Sequence, residues 1–132
     1  MKTQGIRERC GGDWVHRSDG WWRTLTLDQV VAAAGVLKAG GARFASLLVR
    51  PVDGGLRLSW HWDVQGTLLS LQATAAPGEP IPSLGGLWPC TDWAEREARD
   101  YYAVTFSGRE STPPLMLRDG DAPGVLLAGR TS

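Results

Sequence analysis

Leu56-Arg57-Leu58-Ser59-Trp60-His61-Trp62-Asp63-Val64 alternates without a break. Leu56, Leu58, Trp60, Trp62 and Val64 fall on one face, and Arg57, Ser59, His61 and Asp63 on the other. Side chains of an extended chain point alternately to opposite faces, so this period of two predicts a half-buried antiparallel strand. Upstream, Asp53-Gly54-Gly55 is a hairpin turn signal. It joins the strand to another over residues 42–52, which carries Phe44, Leu47, Leu48, Val49 and Val52 and includes Pro51. Downstream, Gln65-Gly66 turns the chain into a third strand, Thr67 to Thr74. The expectation is a three-stranded antiparallel meander, with room for a fourth, edge strand from the N-terminal arm.

Two helices flank the meander. The first opens at Thr26, where Thr26 and Gln29 have capping-box spacing and Leu25 and Val30 occupy the staple positions. Its body, Leu27 to Ala39, is rich in alanine, and Gly40-Gly41 stops it. The second follows a Pro/Gly linker (Ala75 to Pro82), a short helical turn (Ser83 to Leu87) and Pro89. The fold expected is therefore α+β: a small antiparallel sheet of three to four strands with two principal helices packed on one face. Residues 1–24 read as a loose N-terminal arm dotted with Trp14, Trp21 and Trp22, residues 25–117 as a single domain, and residues 118–132 as a short, glycine-containing, mobile tail.

Composition narrows the function classes. The 132 residues suit one domain with its own core. Fourteen basic and fourteen acidic side chains cancel, which gives no electrostatic support for binding nucleic acid. Two cysteines, Cys10 and Cys90, exclude a disulfide framework and any iron–sulfur cluster held by four cysteines of this chain. No apolar run reaches the roughly 18 residues of a membrane span, and the polar start at Met1 to Arg9 leads into no signal-peptide core. The chain reads as soluble and cytosolic. Its 7 tryptophans suit either a core or an interface.

The second helix carries a dense charge cluster, Thr91-Asp92-Trp93-Ala94-Glu95-Arg96-Glu97-Ala98-Arg99-Asp100-Tyr101-Tyr102. Asp92 or Thr91 can cap it, Asp92 and Glu95 have capping-box spacing, and Glu95–Arg99 and Arg96–Asp100 are pairs four residues apart. At about 100° per residue, Trp93, Ala94, Ala98, Tyr101 and Tyr102 share one half of the wheel, and Glu95, Arg96, Arg99 and Asp100 the other. Glu97 projects into the apolar half. A carboxylate there needs donors, from its own domain or from a partner subunit's arginine.

The segment from Ile81 to Leu117 resembles the thirty-kilodalton subunit family of respiratory complex I, the C subunit of NADH-quinone oxidoreductase. The residues that carry the resemblance are Pro82-Ser83, Trp93, Glu95-Arg96-Glu97, Asp100, Tyr101-Tyr102 and Phe106-Ser107-Gly108, in order and with similar spacing. Arg109 stands where the family has histidine, Ala103 where it often has glycine, and Pro113-Pro114 in place of a basic pair. The resemblance carries the expectation of a short family version, without the family's long C-terminal extension, like those of energy-converting hydrogenases and formate hydrogenlyase-type complexes.

The resemblance implies a non-catalytic assembly subunit of an oxidoreductase complex, carrying no cofactor itself. NAD, FMN, iron–sulfur clusters and quinone are then expected only elsewhere in the complex. The implied partners are the large, forty-nine-kilodalton-type subunit and the small iron–sulfur subunit, in the peripheral arm on the cytoplasmic side of the membrane. Pro82, Ser83, Trp93, Glu95, Arg96, Glu97, Asp100, Tyr101, Tyr102 and Gly108 become the expected motif and subunit interface.

Other residues carry less. Cys10, His16, His61 and Cys90 match no zinc spacing. The glycine pairs are turn signals and form no dinucleotide or phosphate loop. A Cys90–His61 nucleophile pair lacks an identifiable acid partner. The rival reading from another class is a free-standing ligand-binding or hydrolytic domain, and its signature would be a deep pocket converging on His61, Glu97 or Cys90.

Overall fold

The computed structural model describes residues 2–107. In chain order these form α1 (Lys2–Cys10), β1 (Val15–Arg17), β2 (Gly20–Thr24), α2 (Leu27–Ala39), β3 (Arg43–Val52), β4 (Gly55–Val64), β5 (Thr67–Ala75), β6 (Ile81–Pro82), α3 (Thr91–Tyr102) and β7 (Phe106–Ser107). Gly108, Arg109, the Pro113–Leu117 segment and the tail from Arg118 lie outside the described residues.

The expected meander is present. β3 pairs with β4 across the Asp53-Gly54 turn, and β4 with β5 across Gln65-Gly66. Gln65 and Gly66 both have positive φ, 50° and 86°, the combination whose twist suits a two-residue hairpin. Asp63 steadies this turn by accepting the Gly66 N–H at 2.9 Å. The alternating face of β4 is the centre of the core: Leu58, Trp60, Trp62 and Val64 are all buried. Leu69, Leu71, Ala73 and Ala75 of β5 continue that face, in register with Trp62, Trp60, Leu58 and Leu56.

α2 and α3 both pack on this face. Leu27, Val30, Ala33, Ala34 and Leu37 of α2 join the same buried cluster as Ala98 of α3. At the α2 N-terminus the Gln29 side chain accepts the Thr26 N–H at 3.2 Å, the reach-back that the capping-box spacing predicts. At the other end Gly41 takes a φ of 82° and Ala42 N–H returns to the Leu37 carbonyl at 3.0 Å, which ends the helix.

The α+β class stands, but the sheet is larger than the meander and is mixed. Its order is β1-β2-β5-β4-β3, with β2 running parallel to β5. The N-terminal arm is therefore part of the domain, contributing a helix and a hairpin. Gly20 makes the parallel pairing possible: its φ is 126°, and a Cβ there would sit 2.2 Å from the Leu68 carbonyl oxygen. β2 then places its two tryptophans on opposite faces. Trp21 lies under the Arg7 guanidinium at 3.7 Å, and Trp22 meets His61 edge-on at 5.2 Å.

α1 has little intrinsic reason to be helical, since it is polar and contains Gly5. Tertiary contacts hold it: Ile6 and Thr3 are buried, and Gly40 leaves the space that the Ile6 side chain fills.

Candidate functional site: the motif helix and its anchor

Three separate pieces of chain meet around α3. β6 and β7 pair in parallel, Ile81 with Phe106 and Pro82 with Ser107. Ile81 N–H donates to the Thr105 carbonyl at 2.8 Å and Ser83 N–H to the Ser107 carbonyl at 3.1 Å. The chain then closes one helical turn from Leu84 to Trp88, with Trp88 N–H on the Leu84 carbonyl at 2.9 Å. Trp88 is buried against Trp62, ring centroids 5.5 Å apart, and this contact ties the turn to the sheet. Thr91, also buried, donates its hydroxyl to the Trp88 carbonyl at 2.8 Å, so the entry to α3 is fastened to the same turn.

The carboxylate at the centre of this arrangement is Glu95, only 1% exposed. One of its oxygens accepts the Ser83 hydroxyl at 2.7 Å and the other the Leu84 N–H at 2.8 Å. Ser83 Oγ in turn accepts the Gly85 N–H at 3.1 Å. A buried carboxylate is tolerable only when donors replace its lost water, and this turn supplies them.

The helical-wheel expectation is corrected here. The wheel puts Glu95 on the solvated half and Glu97 in the apolar half; the structure reverses them. The buried stripe runs through Thr91, Glu95 and Ala98, spaced four and three apart, with Tyr102 partly buried behind them. Trp93, two residues and about 200° from Glu95, is consequently turned outward at 58% exposure, and Glu97 is exposed as well. The wheel fails because its apolar arc runs from Trp93 at one end to Tyr102 at the other, whereas the buried stripe is centred on the Tyr102 end. The start of the helix also differs from the Asp92–Glu95 capping expectation. Glu95 serves Ser83 and Leu84, and the N-cap position falls on Cys90, which makes no side-chain cap bond. Arg96 pairs with Asp92 at 3.6 Å, in acid-before-base order; the side chain of Asp100, its expected partner, lies outside the described residues.

The other motif residues fall into two groups. Pro82 and Ser83 are part of the anchor. Tyr101 and Tyr102, both half-buried, line a shallow cleft of about 210 Å³ between α3 and the edge strand β3, together with Glu97, Ala94, Leu47 and Leu48. Asp100 lies within α3. Sequence reasoning misses Leu84 and Trp88 and takes Thr91 only as a candidate cap, whereas all three are part of the anchor. The proline-serine turn followed by Leu84 and Trp88 is the available signal.

The rival site residues do not converge. His61 lies on the sheet face away from the core, with Nδ1 2.7 Å from Ser70 Oγ. Burial pushes its pKa below the ordinary 6.5, against the raising influence of Asp19. Cys90 is exposed at the start of α3. Cys10 is half-buried, with Sγ 3.6 Å from the Ala33 carbonyl; burial raises its thiol pKa, opposed by Arg23 and Arg9. His16 meets Trp21 in a tilted ring contact, centroids 4.6 Å apart. Among the described residues no three His, Cys, Asp or Glu side chains are grouped to hold a metal ion.

The family model for the respiratory-chain NADH dehydrogenase 30 kDa subunit matches residues 24–125, most of the chain. The chain belongs to this family. Among curated relatives, the NADH-quinone oxidoreductase C subunit of Cupriavidus taiwanensis is 27% identical over 110 residues, covering 82% of this chain and 42% of that protein. The C subunit of Halorhodospira halophila is 57% identical over 28 residues, 21% of this chain and 11% of that protein. The chain thus spans less than half the length of these relatives.

In three dimensions it resembles a chain of the membrane-bound sulfane sulfur reductase, an archaeal respiratory membrane complex, with a TM-score of 0.74 at 19% identity. That match covers 92% of this chain and 78% of the other, and it supports the fold. No helix of the described residues is long and apolar enough to cross a membrane.

Proposed function

We propose that this protein is a non-catalytic assembly subunit in the peripheral arm of a complex I-like NADH-quinone oxidoreductase, docking on the large subunit through the outer face of α3. In this reading the small iron–sulfur subunit is its second neighbour, and NAD, FMN, iron–sulfur clusters and quinone are carried by other chains. The arm lies on the cytoplasmic side of the membrane.

The observation that carries the docking surface is the exposure of Trp93 beside Glu97 on the family-motif helix. A 58%-exposed tryptophan on a helix whose opposite side is firmly anchored makes a suitable interface centre, since tryptophan is enriched among the residues that dominate binding energy. Glu97, on the same outward side, can meet a cationic side chain of the partner.

The experiment is co-expression of the chain with the large subunit of its host complex and measurement of complex formation for Trp93→Ala and Glu97→Arg. Truncating an interface-centre tryptophan costs about 2 kcal/mol or more, a roughly thirtyfold loss of affinity. Both variants should keep the melting temperature of the parent chain. Assembly of both at parental affinity refutes the proposal.

A second reading is the equivalent subunit of an energy-converting hydrogenase or formate hydrogenlyase-type complex. The structural likeness to a chain of an archaeal respiratory membrane complex of another kind favours it. The genes adjacent to this one distinguish the two.

A further inference from the structure

β3 is one outer strand of the five-stranded sheet and, at ten residues, far longer than β1 at the other edge. Which of its backbone groups face outward follows from the hairpin. Val52 and Gly55 flank the two-residue turn and form a hydrogen-bonded pair, so alternate residues Arg50 and Leu48 also bond to β4. Leu47, Val49 and Pro51 therefore turn their backbone groups away from the sheet. Pro51 fits this register independently, because a proline within a strand belongs where no N–H is needed.

The outer edge thus presents the N–H and C=O groups of Leu47 and Val49. Among the described residues no strand or loop pairs with them. The bulge between Phe44 and Ser46 and Pro51 interrupt the edge at either end, leaving residues 46–50 as its open part.

The cleft beside α3 lies along this edge. Leu47 and Leu48 both line it, although their side chains point to opposite faces of the sheet, so the opening is at the strand's rim. Glu97 and Tyr101 form its far wall.

We infer that β3 is a β-augmentation site: an extended segment of the partner subunit adds as a sixth strand along residues 46–50. The groups left unpaired among the described residues are amides and carbonyls in strand geometry, and an extended backbone is the chemistry that satisfies them. Side chains on one face of the added strand fill the cleft against Tyr101, and a lysine or arginine beside them meets the exposed Glu97. The inference rests on the assembly-subunit reading and specifies how the partner is held.

Backbone hydrogen–deuterium exchange tests it on the full chain, alone and co-assembled with the large subunit. The Leu47 and Val49 amides should exchange quickly in the isolated chain and slow on the order of 100-fold in the assembly, as amides recruited into a ladder do. Val49→Pro supplies a second measurement. It removes an outward N–H at a position equivalent to Pro51, so the chain should fold and its assembly should weaken at least tenfold.

Unchanged exchange at Leu47 and Val49 in an assembly that forms normally overturns the inference and leaves the assembly-subunit reading intact. So does a folded Val49→Pro chain that assembles like the parent. Protection that rises with concentration in the isolated chain assigns the edge to a second copy and also overturns it. Failure of the parent chain to assemble at all removes both readings. If Val49→Pro does not fold, the exchange measurement on the parent chain decides alone.

Discussion

Replacing Glu95 separates the anchoring carboxylate from its exposed neighbour Glu97. Glu95→Ala deletes the acceptor for the Ser83 hydroxyl and the Leu84 N–H, bonded at 2.7 and 2.8 Å in a site where Glu95 is 1% exposed. Hydrogen bonds to a charged acceptor contribute about 1.5–3 kcal/mol, and a buried donor left unsatisfied costs about 1–3 kcal/mol, so the variant should lose about 3 kcal/mol. For a domain of roughly 100 residues this is a fall in Tm of about 12 °C or more.

Glu95→Gln keeps an acceptor for Leu84 and should lose only about 1 kcal/mol. Ser83→Ala should lose a similar amount, and because Ser83 and Glu95 share a bond the Ser83→Ala/Glu95→Ala double variant should be less destabilised than the sum, by about 0.5 kcal/mol or more. Glu97→Ala, on the exposed side of the same helix, should stay within about 0.5 kcal/mol of the parent. Urea denaturation of the isolated chain followed by circular dichroism measures all of these variants. An unperturbed Glu95→Ala together with a destabilised Glu97→Ala refutes the assignment of the anchor.

Three further outcomes are expected. Ala103 ends α3 at a φ of 57°, a conformation that costs a residue with a Cβ about 1–2 kcal/mol; Ala103→Gly should raise stability by about 0.5–1 kcal/mol after the larger unfolded-state entropy of glycine is subtracted, as thermal melting will show. Gly20→Ala drives a Cβ to 2.2 Å from the Leu68 carbonyl oxygen and should cost about 2–3 kcal/mol, with faster exchange of the β2 and β5 amides; an unaffected melt argues against the parallel pairing. His61 has its pKa lowered in the folded chain, so below 6.5 the unfolded chain binds the extra proton first; stability should be full above that pH and decline as pH falls through the window towards the folded pKa, and His61→Gln should flatten this decline in denaturation measured across that window.

The sequence is most legible where one element's own period carries the information. The β4 alternation, the Asp53-Gly54 and Gln65-Gly66 turns and the Thr26–Gln29 cap each involve residues close in the chain, and each forms at the expected place. The family motif is legible as well, as an ordered set of residues around α3. The role of each motif residue is not. Glu95 is buried because a turn eleven and twelve residues upstream aims the Leu84 N–H and the Ser83 hydroxyl at it, and a helical wheel holds no information about that turn. The N-terminal arm supplies the extra strand that the sequence leaves room for, but its helix and its parallel pairing escape local reasoning for the same kind of cause. Lys2–Cys10 has a weak local preference for helix and is ordered by α2, and Gly20–Thr24 takes its parallel partner β5 from far along the chain.

By itself, then, the sequence determined the meander, the two principal helices, the α+β class and family membership, because these depend on periodicity and on short spacings. The tertiary structure alone decided the mixed sheet, the position of β3 at its edge among the described residues, and which of the two glutamates Glu95 and Glu97 is buried in the anchor and which faces outward. Those depend on what lies across from a residue in space. A parallel strand or a donor-bearing turn brought in from far along the chain can outweigh the preference of the residue itself.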